Sequence, residues 1–148
     1  MHFDLTSKGV QRFLEAQDRV YGTVCDELRV GRKETHWIWF VFPQLRELGR
    51  SSIAKHFGIE SENEARVYWQ HPVLRRRLVE CTALVLTHRN KTVHEIFGSP
   101  DDLKFGSCIT LFSRVAPHEP VFRRALDRFF GGKPDESTLA LLPPVERS

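Results

Sequence analysis

Apolar residues at three- and four-residue steps, opened by capping residues and closed by glycine or proline, fill most of this chain. That spacing lays an apolar stripe along one side of a helix and leaves little sequence for paired strands. Between Ser7 and Arg29 the stripe is Val10, Phe13, Leu14, Val20, Tyr21, Val24, Cys25 and Leu28. Ser7 reads as its N-cap and Gly31 as its stop. Gly22 falls inside the stripe, where it costs about 1 kcal/mol relative to Ala, and reads as the mark of a close helix contact. Ser51 or Ser52 caps a short helix ending at Phe57, bracketed by Gly49 and Gly58.

Ser61-Glu62-Asn63-Glu64 has the capping-box form and opens a helix to Trp69. Pro72 suits the first turn of the next. That helix carries Val73, Leu74, Leu78, Val79, Cys81, Leu84, Val85 and Leu86, is apolar over more than one stripe, and is expected at the centre. A second capping box, Thr92 to Glu95, opens a short helix that Gly98 closes. Asp101 or Asp102 caps a helix through Leu103, Phe105, Ile109, Leu111, Phe112 and Val115. Pro120 opens another, which Gly131-Gly132 ends, and Asp135 caps a last turn before Pro143-Pro144. The expectation is an all-α bundle of about six to eight short and medium helices. One domain spans residues 1–148, with a frayed tail from about residue 143. Three Trp, two Tyr and eleven Phe supply enough apolar area for a core without metal or disulfide.

Periodicity is silent on Trp37-Ile38-Trp39-Phe40-Val41-Phe42, where every position is apolar. Its aromatic and β-branched content leans towards a strand, and Pro43 ends it in either conformation. A strand needs a mate, and only Ile109–Phe112 offers one, so a small α+β fold is the alternative.

The stretch His36-Trp37-Ile38-Trp39-Phe40-Val41-Phe42-Pro43-Gln44 resembles the HW-x-WF-x-FPQ motif of an uncharacterised, mainly helical bacterial family of unknown function. Members of that family often carry the label calpastatin. The likeness continues through Leu48, Gly49 and Ser51, then Asp101 and Lys104, then Thr110, Leu111 and Phe112, and reaches Phe129-Phe130-Gly131-Gly132. One departure is Glu47, where the family usually has glycine, which weakens the expectation of a close backbone approach there. The resemblance implies a compact helical domain and tips the aromatic segment away from a sheet. It implies no established activity. A calpain inhibitor of that name would be a disordered repeat chain, whereas this one has no repeat and many core residues.

Charge and cysteine usage exclude several classes. The formal net charge is only +3, which speaks to solubility more than to partners. Arg75, Arg76, Arg77, Arg89 and Lys91 form the strongest basic run and read as a solvated face, so nucleic acid is the least favoured partner. Cys25, Cys81 and Cys108 lack CxxC spacing and suggest neither a disulfide framework nor a zinc site. No cofactor or metal motif is present, and no catalytic nucleophile can be named. The N-terminus lacks a signal-peptide pattern and no apolar run could span a bilayer, so the expected compartment is the cytoplasm, with no membrane partner.

The densest group of costly side chains is His36, Trp37, Trp39, Gln44, Lys104, Ser107 and Thr110. Aromatic walls with a few polar groups are what small-ligand pockets use. Lys104, in the first turn of its helix, suits a carboxylate or phosphate. The expected function is therefore binding of a small anionic or nucleotide-like metabolite beside this segment, with catalysis undecided. The alternative is an interaction module in which exposed aromatics, Trp39 to Phe42 or Phe129 to Phe130, dock a protein partner or a second copy.

Overall fold

A computed structural model describes residues 9–144; the capping role read for Ser7 and the tail from Val145 lie outside the described residues. Helix α1 (Gln11–Val30) starts after Val10 without a side-chain cap and stops at Gly31, whose φ of 83° suits glycine. A Cβ at Gly22 would have nothing within 4 Å, so the close contact read there does not form. The aromatic segment becomes a single helical turn, α2 (Ile38–Val41), followed by a 3-10 turn (Arg46–Leu48). Further on come α3 (Ser52–His56), α4 (Glu62–Gln70), α5 (Pro72–Leu86) and α6 (Val93–Phe97). The chain ends in α7 (Asp101–Val115), α8 (Pro120–Phe130) and α9 (Glu136–Leu141). The architecture is all-α, and the only sheet-like pairing among the described residues is one parallel bridge, Leu45 to Ile59.

Local capping chemistry sets most of these boundaries. Ser51 accepts from Ala54 N and Ser61 from Glu64 N, while Thr92 and Glu95 form a reciprocal box. The box expected at Ser61 is only half made, because Glu64 turns its carboxylate to Arg12 and to the Glu60 N–H. Helix α7 follows Pro100, and neither Asp101 nor Asp102 is its N-cap. Both lie in its first turn, where negative charge favours the positive helix end.

The centre of the bundle is α7, not α5. Helix α7 packs against α2, α4, α6, α8 and α9, and Phe105 through Phe112 are all buried. Helix α5 buries Leu74, Leu78, Cys81, Thr82 and Val85, while Arg75, Arg76 and Glu80 stay outside. The aromatic segment explains its own lack of periodicity. Trp37, Ile38, Phe40, Val41 and Phe42 are each no more than 3% exposed, so no polar face interrupts them. One helical turn sends Trp37 and Phe42 towards Phe97, and Phe42 on to Phe105, while Phe40 packs on Phe57. An extended strand there would find no partner, since Ile109–Phe112 lies inside α7.

Candidate functional site

Glu27, near the end of α1, organises the approach to the aromatic segment. Its carboxylate accepts from the Glu34 N–H at 2.7 Å, the Thr35 N–H at 3.0 Å, the Thr35 hydroxyl at 2.6 Å and Trp37 Nε1 at 3.0 Å. Burial alone would raise its pKa, yet the Thr35, Glu34 and Trp37 hydrogen bonds outweigh that and hold the carboxyl below its ordinary value. The stability it contributes is therefore present above the ordinary carboxylate range and is lost as pH falls through the lowered value. Glu27→Gln is expected to cost about 1–3 kcal/mol at neutral pH. Urea unfolding at pH 7 and pH 3 checks this: the gap between variant and native chains should shrink at the lower pH.

A cavity of about 530 Å³ lies where the 44–54 segment, the start of α7 and the 135–137 segment meet. Gln44, Leu48, Gly49, Arg50, Ser51 and Ala54 form one side, Pro100, Leu103, Lys104 and Ser107 a second, and Asp135 and Ser137 the third. Gly49 is required for this closure, since a Cβ there would sit 2.9 Å from the Ala54 Cβ. A backbone clamp holds the first side in place, with Arg46 N donating to Ile59 O at 2.8 Å and Ile59 N donating to Gln44 O at 2.9 Å. Glu47 is exposed in the 3-10 turn.

Lys104 is the central charge. Its ammonium lies 5.5 Å from the centre of the Trp39 ring and 3.7 Å from Asp101 Oδ1. Asp101 gives its other oxygen to Lys33, at 2.8 Å, and Lys33 in turn sits 5.0 Å over the Trp37 ring. Two ammonium groups thus share one carboxylate. Arg50 has no acidic partner among the described residues, and the Gln44 carboxamide makes no hydrogen bond to them.

The remaining polar groups are more committed. Ser51 accepts from the Ala54 N–H at 3.1 Å. The Ser107 hydroxyl lies 3.1 Å from Leu103 O and 3.3 Å from Asp135 Oδ2. Asp135 caps α9 through the Thr138 N–H at 2.9 Å and also accepts from the Thr138 hydroxyl, which reduces its repulsion of an anion.

Of the residues read from sequence, Gln44, Lys104 and Ser107 line the cavity and Trp39 supports Lys104. Three others do not join them. His36 is exposed, outside the lining. Trp37 is core, its indole N–H spent on Glu27. Thr110 is buried and structural: its hydroxyl donates to Gly106 O and accepts from the Asp135 N–H, pinning the 133–135 loop to α7. Phe40, Val41 and Phe42 of the other reading are inside, while Trp39, Phe129 and Phe130 are half-buried. Arg50 and Ser137 carry no local pattern that marks them, and Asp135 reads only as a helix cap; the Leu48-Gly49-Ser51 element alone points to the loop bearing Arg50.

The three cysteines are free and buried, away from this lining. A hydrogen bond with Cys81 lowers the Cys25 thiol to about 6 against the effect of burial, and the same bond, with burial, raises Cys81. No described helix is long and apolar enough to cross a membrane.

The fold and this cavity define a helical domain assembled around one central helix and the aromatic 36–51 segment. The family model Protein of unknown function (DUF1810) matches residues 7–142, and the chain belongs to that family. A solved structure, the conserved hypothetical protein Rv1873 from Mycobacterium tuberculosis, is similar at 50% identity with a TM-score of 0.88. The likeness covers 90% of this chain and 95% of that one. No curated protein matches.

Proposed function

We propose that the cavity between the 44–54 segment and α7 binds a small anion, free or carried on a nucleotide-like group. Lys104 and Arg50 supply the charge, and the Gln44 carboxamide, with Ser51 and Ser107, orients the ligand. The observation that carries this reading is the excess of positive charge beside the cavity: Lys104 shares Asp101 with Lys33, Arg50 has no acidic partner among the described residues, and the one lining carboxylate, Asp135, is engaged by Thr138. Three separate stretches that carry the family resemblance contribute to this lining: Gln44, then Leu48, Gly49 and Ser51, then Lys104.

The test is a thermal-melt series with inorganic phosphate, citrate and a nucleoside monophosphate on the native chain and on Lys104→Ala. A ligand at a hundred times its Kd stabilises the fold by about 2.7 kcal/mol. At least one of these anions is expected to raise the native melting temperature and to lose that effect in Lys104→Ala. An equal rise in both proteins, or no rise with any of the three, overturns the proposal.

A further inference from the structure

A second concave surface, of about 800 Å³, lies between α5 and α8, on residues that do not overlap the first cavity. It is lined by Ala83, Leu86 and Thr87 at the end of α5, by Arg89 just beyond, and by Val121, Arg124, Asp127 and Arg128 of α8. Of the arginines on these two helices outside the groove, Arg77 pairs with Asp18 at 2.8 Å, Arg76 with Glu80 at 3.7 Å and Arg123 with Asp127 at 3.1 Å, while Arg75 lies 5.9 Å over the Trp69 ring. The three that line the groove have no acidic partner among the described residues. Asp127, the groove's one carboxylate, is engaged by Arg123. Arg128 instead donates to the Leu86 carbonyl, which satisfies the C-terminal end of α5 and holds that guanidinium at the groove wall.

We infer that this groove is an oligophosphate-binding site, formed by Arg89, Arg124 and Arg128. Guanidinium groups match phosphate oxygens in a bidentate way, and three cations without counter-charge suit a ligand carrying several negative charges in a row. Arg124 and Arg128 are four residues apart on α8 and so share a face, with Arg89 opposite them at the end of α5. The groove has no aromatic residue on which a base could stack, so the phosphate chain itself is what the site recognises.

The experiment uses tripolyphosphate as probe, with a nucleoside triphosphate and the matching nucleoside as further arms, titrated calorimetrically into the full chain at low salt. Arg89 and Arg124 are exposed, so Arg89→Gln/Arg124→Gln should fold as the native chain does. Tripolyphosphate is expected to bind the native chain, to bind the double variant about tenfold or more weakly, and to weaken with added salt. In a Lys104→Ala background, where the cavity at the start of α7 is disabled, tripolyphosphate should still bind and Arg89→Gln/Arg124→Gln should still weaken it about tenfold or more, which separates the two sites. Comparable affinity for tripolyphosphate and the nucleoside triphosphate identifies a bare phosphate chain as sufficient, and tighter nucleotide binding identifies a nucleotide as the source; both uphold the site. Absence of binding, equal binding by the double variant, or no remaining effect of Arg89→Gln/Arg124→Gln in the Lys104→Ala background overturns it.

Discussion

Phe105→Ala is expected to destabilise the protein by about 3–5 kcal/mol, because it removes the ring at the centre of the aromatic core and leaves a cavity behind. Phe105 is fully buried in α7. Its ring meets Phe42 edge-on at 4.9 Å, stacks with Phe97 at 4.7 Å, and lies 6.2 Å from Phe130 and 6.4 Å from Phe129. Those four partners come from the aromatic segment, α6 and α8, so one truncation loosens three joints of the bundle. Collapse into the hole is restricted, since Phe42 is already held against Trp37 and Phe97. A melting temperature lower by roughly 10 °C follows for a chain of this size. Phe105→Leu keeps most of the volume and should cost far less. A loss under about 1 kcal/mol for the alanine variant, in chemical denaturation, would contradict the place given to this ring.

The elements that could be read from sequence are those whose signals are local. Thr92 and Glu95 are three residues apart and meet; so are Asp135 and Thr138, and Ser51 and Ala54. Pro72, Pro120, Gly31 and Gly131 act through their own backbone preferences and mark boundaries wherever they stand. The 37–42 segment resists such reading because burial on all sides removes the polar face that periodicity needs; only the family resemblance pointed to a helix. Helix α5 reads as the centre from sequence while α7 occupies it, for a related reason. Helix α7 hides Ser107 and Thr110 by bonding each hydroxyl to the carbonyl four residues earlier, so its polar residues imitate a solvent face.

The site divides along the same line. Lys104 and Ser107 are neighbours on α7 and arrive together, and Gln44 follows the aromatic turn that Pro43 ends. His36 and Trp37, adjacent in sequence, part at the start of α2: the indole enters the core and the imidazole stays in solvent. The third wall, residues 135–137, comes from a stretch bound to α7 through Thr110, a contact between positions 25 residues apart.

Arg12→Met is expected to be as damaging as the loss of a core aromatic, at about 3–5 kcal/mol, although its position in α1 reads as an ordinary charged residue. The guanidinium is 6% exposed. It donates to His56 O at 2.8 Å, Gly58 O at 2.8 Å and the Glu64 carboxylate at 2.8 Å, and also to Gly9 O. Three of those partners are 44 to 52 residues away. Arg12 therefore ties α1 to the end of α3, to the turn at Gly58 and to α4. Gly58 cannot yield space in return, because a Cβ there would lie 2.4 Å from the Arg46 Cα. Methionine keeps the packing of the stem but removes the guanidinium donor from three carbonyls and a largely enclosed carboxylate. Most of the cost then belongs to the stranded Glu64 charge, and this can be separated experimentally. In the Arg12→Met background, Glu64→Gln should restore part of the lost stability, whereas in the native background the same change should destabilise. Equal effects of Glu64→Gln in both backgrounds would show that the two side chains are not coupled. The same clamp carries Ile59 and Gln44, so Arg12→Met should also weaken anion binding in the Lys104 cavity without touching any residue that lines it.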